Sequence, residues 1–301
     1  MSLTDPLSKT PGTRNPTPRA GTPIGSVIEP HPPLTGYYEG EAQRARYVQQ
    51  LFDRTAGDYD RIERILGLGS GSWYRRQALM RAGVGTGAAV LDVGCGTGLL
   101  AREALHLIGP AGRLVGVDPS PGMLAQARLP RAELLEGTAE ALPVEDSSFD
   151  FVTLGYALRH IGDLQAAFAE FHRVLKPGGT LLILEIGKPA GVIGRAVLKA
   201  YMRGLVPLLA TVVGRDKSTP ALWRYFWDTI EACVPAQRIL DTMLGAGFSN
   251  VRRQVELGLF GEYLGRKSLG IGVVGSAGSE GSAVKPTGTS IGTSTGTSRS
   301  L

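Results

Sequence analysis

Cysteine is nearly absent. The two that occur in 301 residues, Cys95 and Cys233, fall in different stretches of the chain. They form neither a disulfide framework nor a metal-ligand pair, which suits a reducing compartment. Histidine is almost as scarce, with four residues, and nowhere do His, Cys and Asp gather at ligand spacing, so no metal centre is expected. Long apolar runs are missing as well. The N-terminal stretch has no signal-peptide core. The most apolar region, Lys188 to Val213, is interrupted by Arg195, Lys199, Arg203 and Pro207, which argues against a spanning helix of about twenty apolar residues. Nor does one sign of charge dominate: 32 Lys and Arg against 27 Asp and Glu leave +5. The basic residues are scattered, with no aromatic-studded basic strand, and nucleic acid is not expected as a partner.

What is present is a glycine-rich chain with 43% hydrophobic residues, enough for a substantial core. Residues 1–40 are crowded with Pro, Thr, Ser and Gly and are expected to be disordered, because they bury too little surface to offset chain entropy. Residues 268–301, rich in Gly, Ser and Thr, are expected to behave alike. Arg14, Arg19 and the scarcity of acids hint at an organelle address, but the prolines there spoil an amphipathic transit helix. One folded domain is expected between, over 41–267.

The centre of that domain is Val90-Leu91-Asp92-Val93-Gly94-Cys95-Gly96-Thr97-Gly98. A buried strand ends in an acid and breaks into a loop with glycine at every second position, and Leu99 to Leu107 then follows a helical period. Glycine lets the backbone close on a ligand, and the N–H groups at the start of the next helix stay free for it. A second strand, Arg113 to Asp118, ends in another acid twenty positions after Gly98. In a doubly wound sheet such an acid sits beside the first loop and accepts the ribose hydroxyls of a nucleoside cofactor. The plainer alternative is an acid that caps the helix beginning near Pro121. Further strands are expected at Glu133–Gly137, Phe151–Leu154 and Thr180–Glu185. A helix spans Leu164 to Val174 and is stopped by Pro177-Gly178-Gly179. Helices over Glu41–Tyr59 and Trp73–Ala82 precede the sheet, with a short apolar face from Ile62 to Leu68 between them. A helix over Leu240–Phe248 and antiparallel strands over Val251–Tyr263 close the fold. Strands alternating with helices give an α/β, doubly wound, mostly parallel sheet with helices on both faces.

The spacing Gly-x-Gly-x-Gly after Asp92, continued by Asp118-Pro119-Ser120-Pro121-Gly122-Met123-Leu124, resembles the class I S-adenosylmethionine-dependent methyltransferases. Leu142 to Asp150 and Arg173 to Gly179 match that superfamily too. Leu51-Phe52-Asp53-Arg54-Thr55-Ala56-Gly57-Asp58-Tyr59-Asp60, Leu158-Arg159-His160-Ile161, Leu184 to Pro189 and Ala246 to Val251 narrow the resemblance to the C-methyltransferases of ubiquinone and menaquinone biosynthesis. The resemblance implies a seven-stranded Rossmann-like methyltransferase fold, S-adenosylmethionine as cofactor, and a lid or substrate insertion near 188–235. The cofactor positions it implies are Asp92, Gly94, Gly96, Thr97, Gly98, Asp118, Met123, Thr138, Ala139 and Gly155. Thr138 stands where the family has Asp or Asn, and Gly155 where it more usually has serine, so adenine is expected to rely on backbone groups. His160 replaces an Asn, and Tyr225-Phe226-Trp227-Asp228-Thr229-Ile230 follows its family segment only loosely.

For carbon methylation of a hydroquinone, losing the phenolic proton pushes electron density onto the neighbouring carbon. A phenol titrates near ~10 and an imidazole near ~6.5, so the transfer is uphill by roughly 5 kcal/mol unless the anion is stabilised. His160 as general base, Arg159 as partner of the phenolate and Tyr59 as a hydrogen-bonding orienter would supply that chemistry. Each has a plainer alternative: His160 capping the next helix or bonding a carbonyl, Arg159 pairing with Asp163 at the surface, and Tyr59 packing. The expected acceptor is a small molecule or prenyl lipid, most simply a quinol. A phospholipid amine, a natural-product hydroxyl, or a non-catalytic cofactor-binding assembly subunit are the competing readings. A cationic stripe of Arg195, Lys199 and Arg203 on an amphipathic helix suggests peripheral membrane contact through 192–206. The alternative there is a lid helix whose stripe faces water. The expected location is cytoplasmic, with or without that membrane contact. The oligomeric state is open, a homodimer included.

Overall fold

The strand Ala89–Val93, β1, is buried along both faces because its side chains alternate between two cores. Leu91 and Val93 join one core with Val115, Val152, Leu181 and Ile183, while Val90 joins the other with Leu114, Leu182 and Leu184. This period of two is what a sheet covered on both sides requires. A computed structural model describes residues 27–66, 70–189 and 191–269. The further strands are β2 (Arg113–Asp118), β3 (Ala132–Glu136), β4 (Phe149–Gly155), β5 (Leu175–Ile186), β6 (Phe248–Glu256) and β7 (Phe260–Lys267). They form the expected seven-stranded, mostly parallel sheet in the order β3-β2-β1-β4-β5-β7-β6, with β7 antiparallel to both its neighbours. Helices α2 (Ser70–Ala82) and α3 (Leu99–Ile108) pack on one face, and α5 (Leu164–Val174) and α9 (Ala236–Gly245) on the other.

The helix α5 is not stopped by Pro177-Gly178-Gly179. It ends at Val174, and Leu175 already pairs with Phe149 in the sheet. The Pro-Gly-Gly segment is absorbed in the register shift before Thr180 pairs with Phe151, an irregularity that glycine tolerates well.

A third core caps the carboxyl ends of the strands. It joins α1 (Glu41–Leu66), α6 (Val192–Ala200), α7 (Val206–Val213) and α8 (Thr219–Ala232) through Leu51, Val206, Leu222, Tyr225 and Trp227. The two apolar stretches expected on either side of Tyr59 are one continuous 26-residue helix, α1, because nothing between them breaks the backbone ladder. It lies across the end of β2. The Asp53 carboxylate accepts from the Ser120 hydroxyl at 2.6 Å and the Gly122 N–H at 2.9 Å, at the start of α4 (Pro121–Gln126). A Cβ on Gly122 would come within 2.8 Å of the Asp53 backbone, so this close approach needs glycine.

Part of the expected N-terminal tail is built into the domain. The Ile28 carbonyl accepts from Leu164 N and the Pro30 carbonyl from Val234 N, while His31 and Tyr38 are buried. The Tyr37 hydroxyl donates to Asp228 at 2.6 Å. Composition assigned 27–40 to the tail, but two tyrosines and a histidine give it enough surface to dock. Residues 1–26 and 270–301, the remainder of the expected tails apart from Ser268 and Leu269, lie outside the described residues.

The helical run from 192 to 213 corrects the argument against a spanning segment. Pro207 and three cations do not interrupt it: a π-helical turn, Tyr201–Leu205, carries α6 into α7. The wider turn bonds Val206 N to the Tyr201 carbonyl and so absorbs the clash that Pro207 would otherwise impose one turn back. It has 22 residues, and its most apolar 18-residue window has a mean hydropathy of 1.5, so by length and composition alone it is long and apolar enough to cross a membrane. Its inner side, Met202, Val206 and Ala210, is buried in the third core, while Val192, Ile193, Val197, Leu208 and Val212 are exposed.

Candidate active site

The carboxyl ends of β1, β2 and β4 open into a cavity of about 330 Å³. Its floor is the glycine loop. Gly94 has φ +59 and an added Cβ would lie 2.7 Å from that of Ala157, so both dihedral and space require glycine. Asp92, Gly94, Gly96 and Thr97 line the cavity; Gly98 does not, and instead starts α3 in a left-handed conformation.

Two carboxylates, Asp92 and Asp118, line this floor. Asp92, 1% exposed, accepts from the Thr153 hydroxyl at 2.7 Å, and its other oxygen, Oδ2, has no hydrogen-bond partner among the described residues. Burial pushes its pKa up to about 7, against the Thr153 hydrogen bond and the nearby Ala101 N–H dipole. Asp118 accepts from Gly96 N at 2.7 Å and Ser120 N at 2.8 Å. Burial raises it to about 6, opposed by those two N–H groups. The plainer reading of Asp118 and the functional one are thus compatible, since one carboxylate ties the glycine loop to the turn entering α4 and still lines the cavity. Each of its oxygens keeps a further lone pair for a ligand hydroxyl.

The remaining cofactor positions are brought together around these two. Met123 is buried under the cavity with its N–H bonded to the Ser120 hydroxyl at 3.1 Å. Thr138 and Ala139 follow β3, and Gly155 ends β4, all in the lining. The Thr97 hydroxyl donates to Asp60 of α1, so that hydroxyl fastens α1 over the loop. The set fits a nucleoside with a charged tail: a glycine cradle, a carboxylate with free lone pairs, and a buried acceptor, Asp92 Oδ2, still lacking a donor.

Above the floor stands an aromatic wall. His160 ends a 3₁₀ turn, Leu158–His160, with its ring 5.2 Å from Phe52, 5.6 Å from Tyr225 and 5.6 Å from Phe226. Neither ring nitrogen has a hydrogen-bond partner among the described residues. The helix that follows is capped instead by Asp163, which accepts from Gln165 N at 2.9 Å. Burial holds the imidazole well below 6.5, and the Arg159 and Arg44 charges add to the effect, so it is neutral at pH 7. Tyr59 stacks on Trp223 at 6.2 Å, lines the cavity, and is pushed up to about 12, chiefly by burial.

Arg159 is placed otherwise than expected. It is 1% exposed and does not line the cavity. Its Nε pairs with Glu185 at 2.9 Å, and its Nη1 donates to the Thr229 hydroxyl at 2.7 Å and the Phe226 carbonyl at 3.1 Å. The expected partnership with a phenolate and the alternative pairing with Asp163 both give way to this buried knot, which ties the 3₁₀ turn and β5 to α8. Its acid, Glu185, comes from a strand whose pattern gave no hint of a pairing.

Sequence reasoning missed Arg75, Phe52 and Phe226 as lining residues. Arg75, on α2, is 5% exposed, pairs with Glu63 at 2.7 Å and lies 5.6 Å from the Tyr156 ring centroid. Two adjacent arginines on a helix with no clear apolar face, in Trp73-Tyr74-Arg75-Arg76, gave no sign of which one turns inward.

Comparison with known proteins agrees with this geometry. The model of the ubiE/COQ5 methyltransferase family matches residues 40–267. A Hahella chejuensis protein named ubiquinone/menaquinone biosynthesis C-methyltransferase is 33% identical over 210 residues, 67% of this chain and 83% of its own. A Lactococcus lactis demethylmenaquinone methyltransferase is 33% identical over 216 residues, 69% of this chain and 84% of its own. Among solved structures, a Thermotoga maritima S-adenosylmethionine-dependent methyltransferase, described as a possible histamine N-methyltransferase, shares the fold. It has a TM-score of 0.52 and 23% identity over 73% of this chain and 99% of that one. Because the family match runs from the start of α1 through the last strand, and the relatives align along most of their own length, the chain belongs to the ubiE/COQ5 methyltransferase family and is an S-adenosylmethionine-dependent methyltransferase.

Proposed function

We propose that the enzyme methylates a ring carbon of a prenylated quinol, as in the biosynthesis of ubiquinone or menaquinone. The observation that carries this reading is His160, a neutral imidazole with two unpartnered nitrogens, set in an aromatic wall above the glycine loop. A flat, apolar ring bearing a hydroxyl is the acceptor such a wall accommodates. The quinone C-methyltransferases among its relatives support the same acceptor.

S-adenosylmethionine, when bound, supplies an activated methyl group, and Asp118, Asp92, Thr138 and Ala139 would hold it. The protein's own work is to orient the ring and take its proton. His160 accepts that proton from the acceptor hydroxyl. Its depressed pKa makes full proton transfer uphill by more than the roughly 5 kcal/mol that separates a free phenol from a free imidazole. The proton therefore leaves as the ring carbon reacts, not beforehand. Phe52 and Phe226 hold the ring and exclude water. Tyr59, stacked on Trp223, closes the wall as an orienting residue.

The test is an assay with methyl-labelled S-adenosylmethionine and a quinol lacking one ring methyl, the product read by mass spectrometry. Label on a ring carbon is expected. His160→Ala should lower turnover at least about tenfold while cofactor affinity stays within twofold. Label appearing on a phospholipid amine or a hydroxyl, with the quinol unlabelled, would refute the acceptor; an unaltered His160→Ala rate removes the imidazole from the chemistry.

The reading includes a cytoplasmic enzyme that reaches its lipid acceptor by peripheral contact through residues 192–206. Exposed Val192, Ile193 and Val197 are flanked by Arg195, Lys199 and Arg203, the pairing of apolar and cationic groups that suits an anionic lipid surface. Replacing Ile193 and Val197 together by Glu should cut co-sedimentation with phosphatidylglycerol vesicles severalfold and leave turnover of a short-chain, soluble quinol intact. Equal vesicle binding by the two proteins would count against this contact.

A further inference from the structure

We propose that Arg75 grips the carboxylate of the amino-acid tail of S-adenosylmethionine. The inference rests on that compound being the cofactor.

A buried guanidinium normally spends all its donors within the protein. In Arg75 the Nη2 group is occupied by Glu63 at 2.7 Å, while Nη1 is buried and has no hydrogen-bond partner among the described residues. The side chain lines the cavity that also contains Asp92, whose Oδ2 is likewise buried and without a partner. The wall of one cavity thus presents one unsatisfied cationic donor and one unsatisfied anionic acceptor. A group carrying both a carboxylate and an ammonium satisfies the two at once. The cofactor has one such group, at the end opposite its adenine.

The other fittings of the cavity point the same way. Asp118 and Thr138 with Ala139 serve the nucleoside, and His160 with Phe52 and Phe226 form the acceptor wall. Arg75 is engaged by neighbours of its own, pairing with Glu63 on α1 and lying against the Tyr156 ring. Glu63 fixes the fork so that its free edge needs no reordering when a carboxylate arrives, which is the advantage of arginine over lysine at such a site. Gly71 leaves room for this arrangement, since a Cβ there would lie 2.7 Å from Nη1 and 2.5 Å from the Glu63 carboxylate.

The experiment is calorimetry on the full chain with two unreactive ligands: S-adenosylhomocysteine, and the aminopropyl thioether of adenosine, which differs only in lacking the carboxylate. Wild type should bind the decarboxylated ligand at least tenfold more weakly. In Arg75→Met the two ligands should bind within about twofold of each other, the loss falling on S-adenosylhomocysteine alone. The unchanged affinity for the decarboxylated ligand reports an intact fold. Arg75→Lys keeps the buried charge and decides the matter if the Met variant does not fold; it should show discrimination clearly below that of wild type. Failure of wild type to bind either ligand overturns the cofactor itself. Equal binding of both by wild type, or full discrimination surviving in the folded variant, overturns the role of Arg75. So does a variant that slows quinol turnover while its discrimination is unchanged, because Arg75 would then serve the acceptor.

Discussion

Asp118→Ala is expected to weaken S-adenosylmethionine binding by at least about a hundredfold, close to 3 kcal/mol. Two losses add. In the proposed assignment the carboxylate accepts from the ribose hydroxyls, and charge-assisted hydrogen bonds contribute roughly 1.5–3 kcal/mol each. It is also the clasp between Gly96 N and Ser120 N, so its removal strands two backbone donors and loosens the glycine loop. Titration calorimetry reads the affinity directly, and a change of less than threefold would contradict the assignment.

The same carboxylates impose a pH dependence. Asp92 at about 7 and Asp118 at about 6 both sit above the ordinary value of an aspartate, because burial favours the neutral form. With folded pKa values raised, their contribution to stability is complete below the unfolded value near 4 and is lost as pH rises through 6 and 7. A ligand bearing an ammonium and a sulfonium favours the ionised forms. Cofactor affinity of wild type should therefore rise between pH 5 and 8, with protons released on binding below pH 7. Asp118→Ala should reduce this slope without abolishing it, since Asp92 remains.

Arg159→Met is expected to destabilise the fold by about 3–5 kcal/mol, the usual cost of breaking a buried pair from one side. In a domain of this size that lowers the unfolding midpoint by roughly 6–20 °C. The Glu185 carboxylate, 3% exposed, would keep only its own Ile186 N–H, and the Thr229 hydroxyl and Phe226 carbonyl would each lose their Arg159 donor. Arg159→Met combined with Glu185→Leu should recover much of the loss, because no buried charge is then left alone. Turnover measured well below the midpoint separates this role from a chemical one. If Arg159→Met unfolds at the wild-type temperature yet loses activity, the guanidinium serves the acceptor after all. His160 would also move, since Leu158–His160 is held by this knot, so some loss of rate is expected with the loss of stability.

The sheet and the cofactor end of the site were legible along the chain. The apolar run at Val90–Val93, the glycine loop, and an acid near the end of each of the first two strands are local features, and they sufficed to single out Asp92, Gly94, Gly96 and Asp118, all of which line the cavity. The acceptor end was only half legible. His160 could be singled out by type, but its neutrality follows from Phe52, Tyr225 and Phe226, which arrive from α1 and α8, more than sixty residues away on either side. Arg159 misled because an arginine beside a histidine in a loop carries no mark of burial; only the docking of α8 onto β5 hands it Glu185 and Thr229. The extent of α1 and the continuity of 192–213 were obscured for a related reason. Helix breaks were inferred from composition, and packing against the third core overrode them.

By itself, then, the sequence determined the alternation of strands and helices and the nucleotide cradle, which depend on periodicity and on residue types at fixed spacing, while the resemblance of its motifs to a known family implied the class of chemistry. Only the tertiary structure decided which of the arginines lines the cavity and which is locked in the core, and that the imidazole has no hydrogen-bond partner among the described residues. Burial and pairing are properties of elements brought together from distant parts of the chain, and no local pattern encodes them.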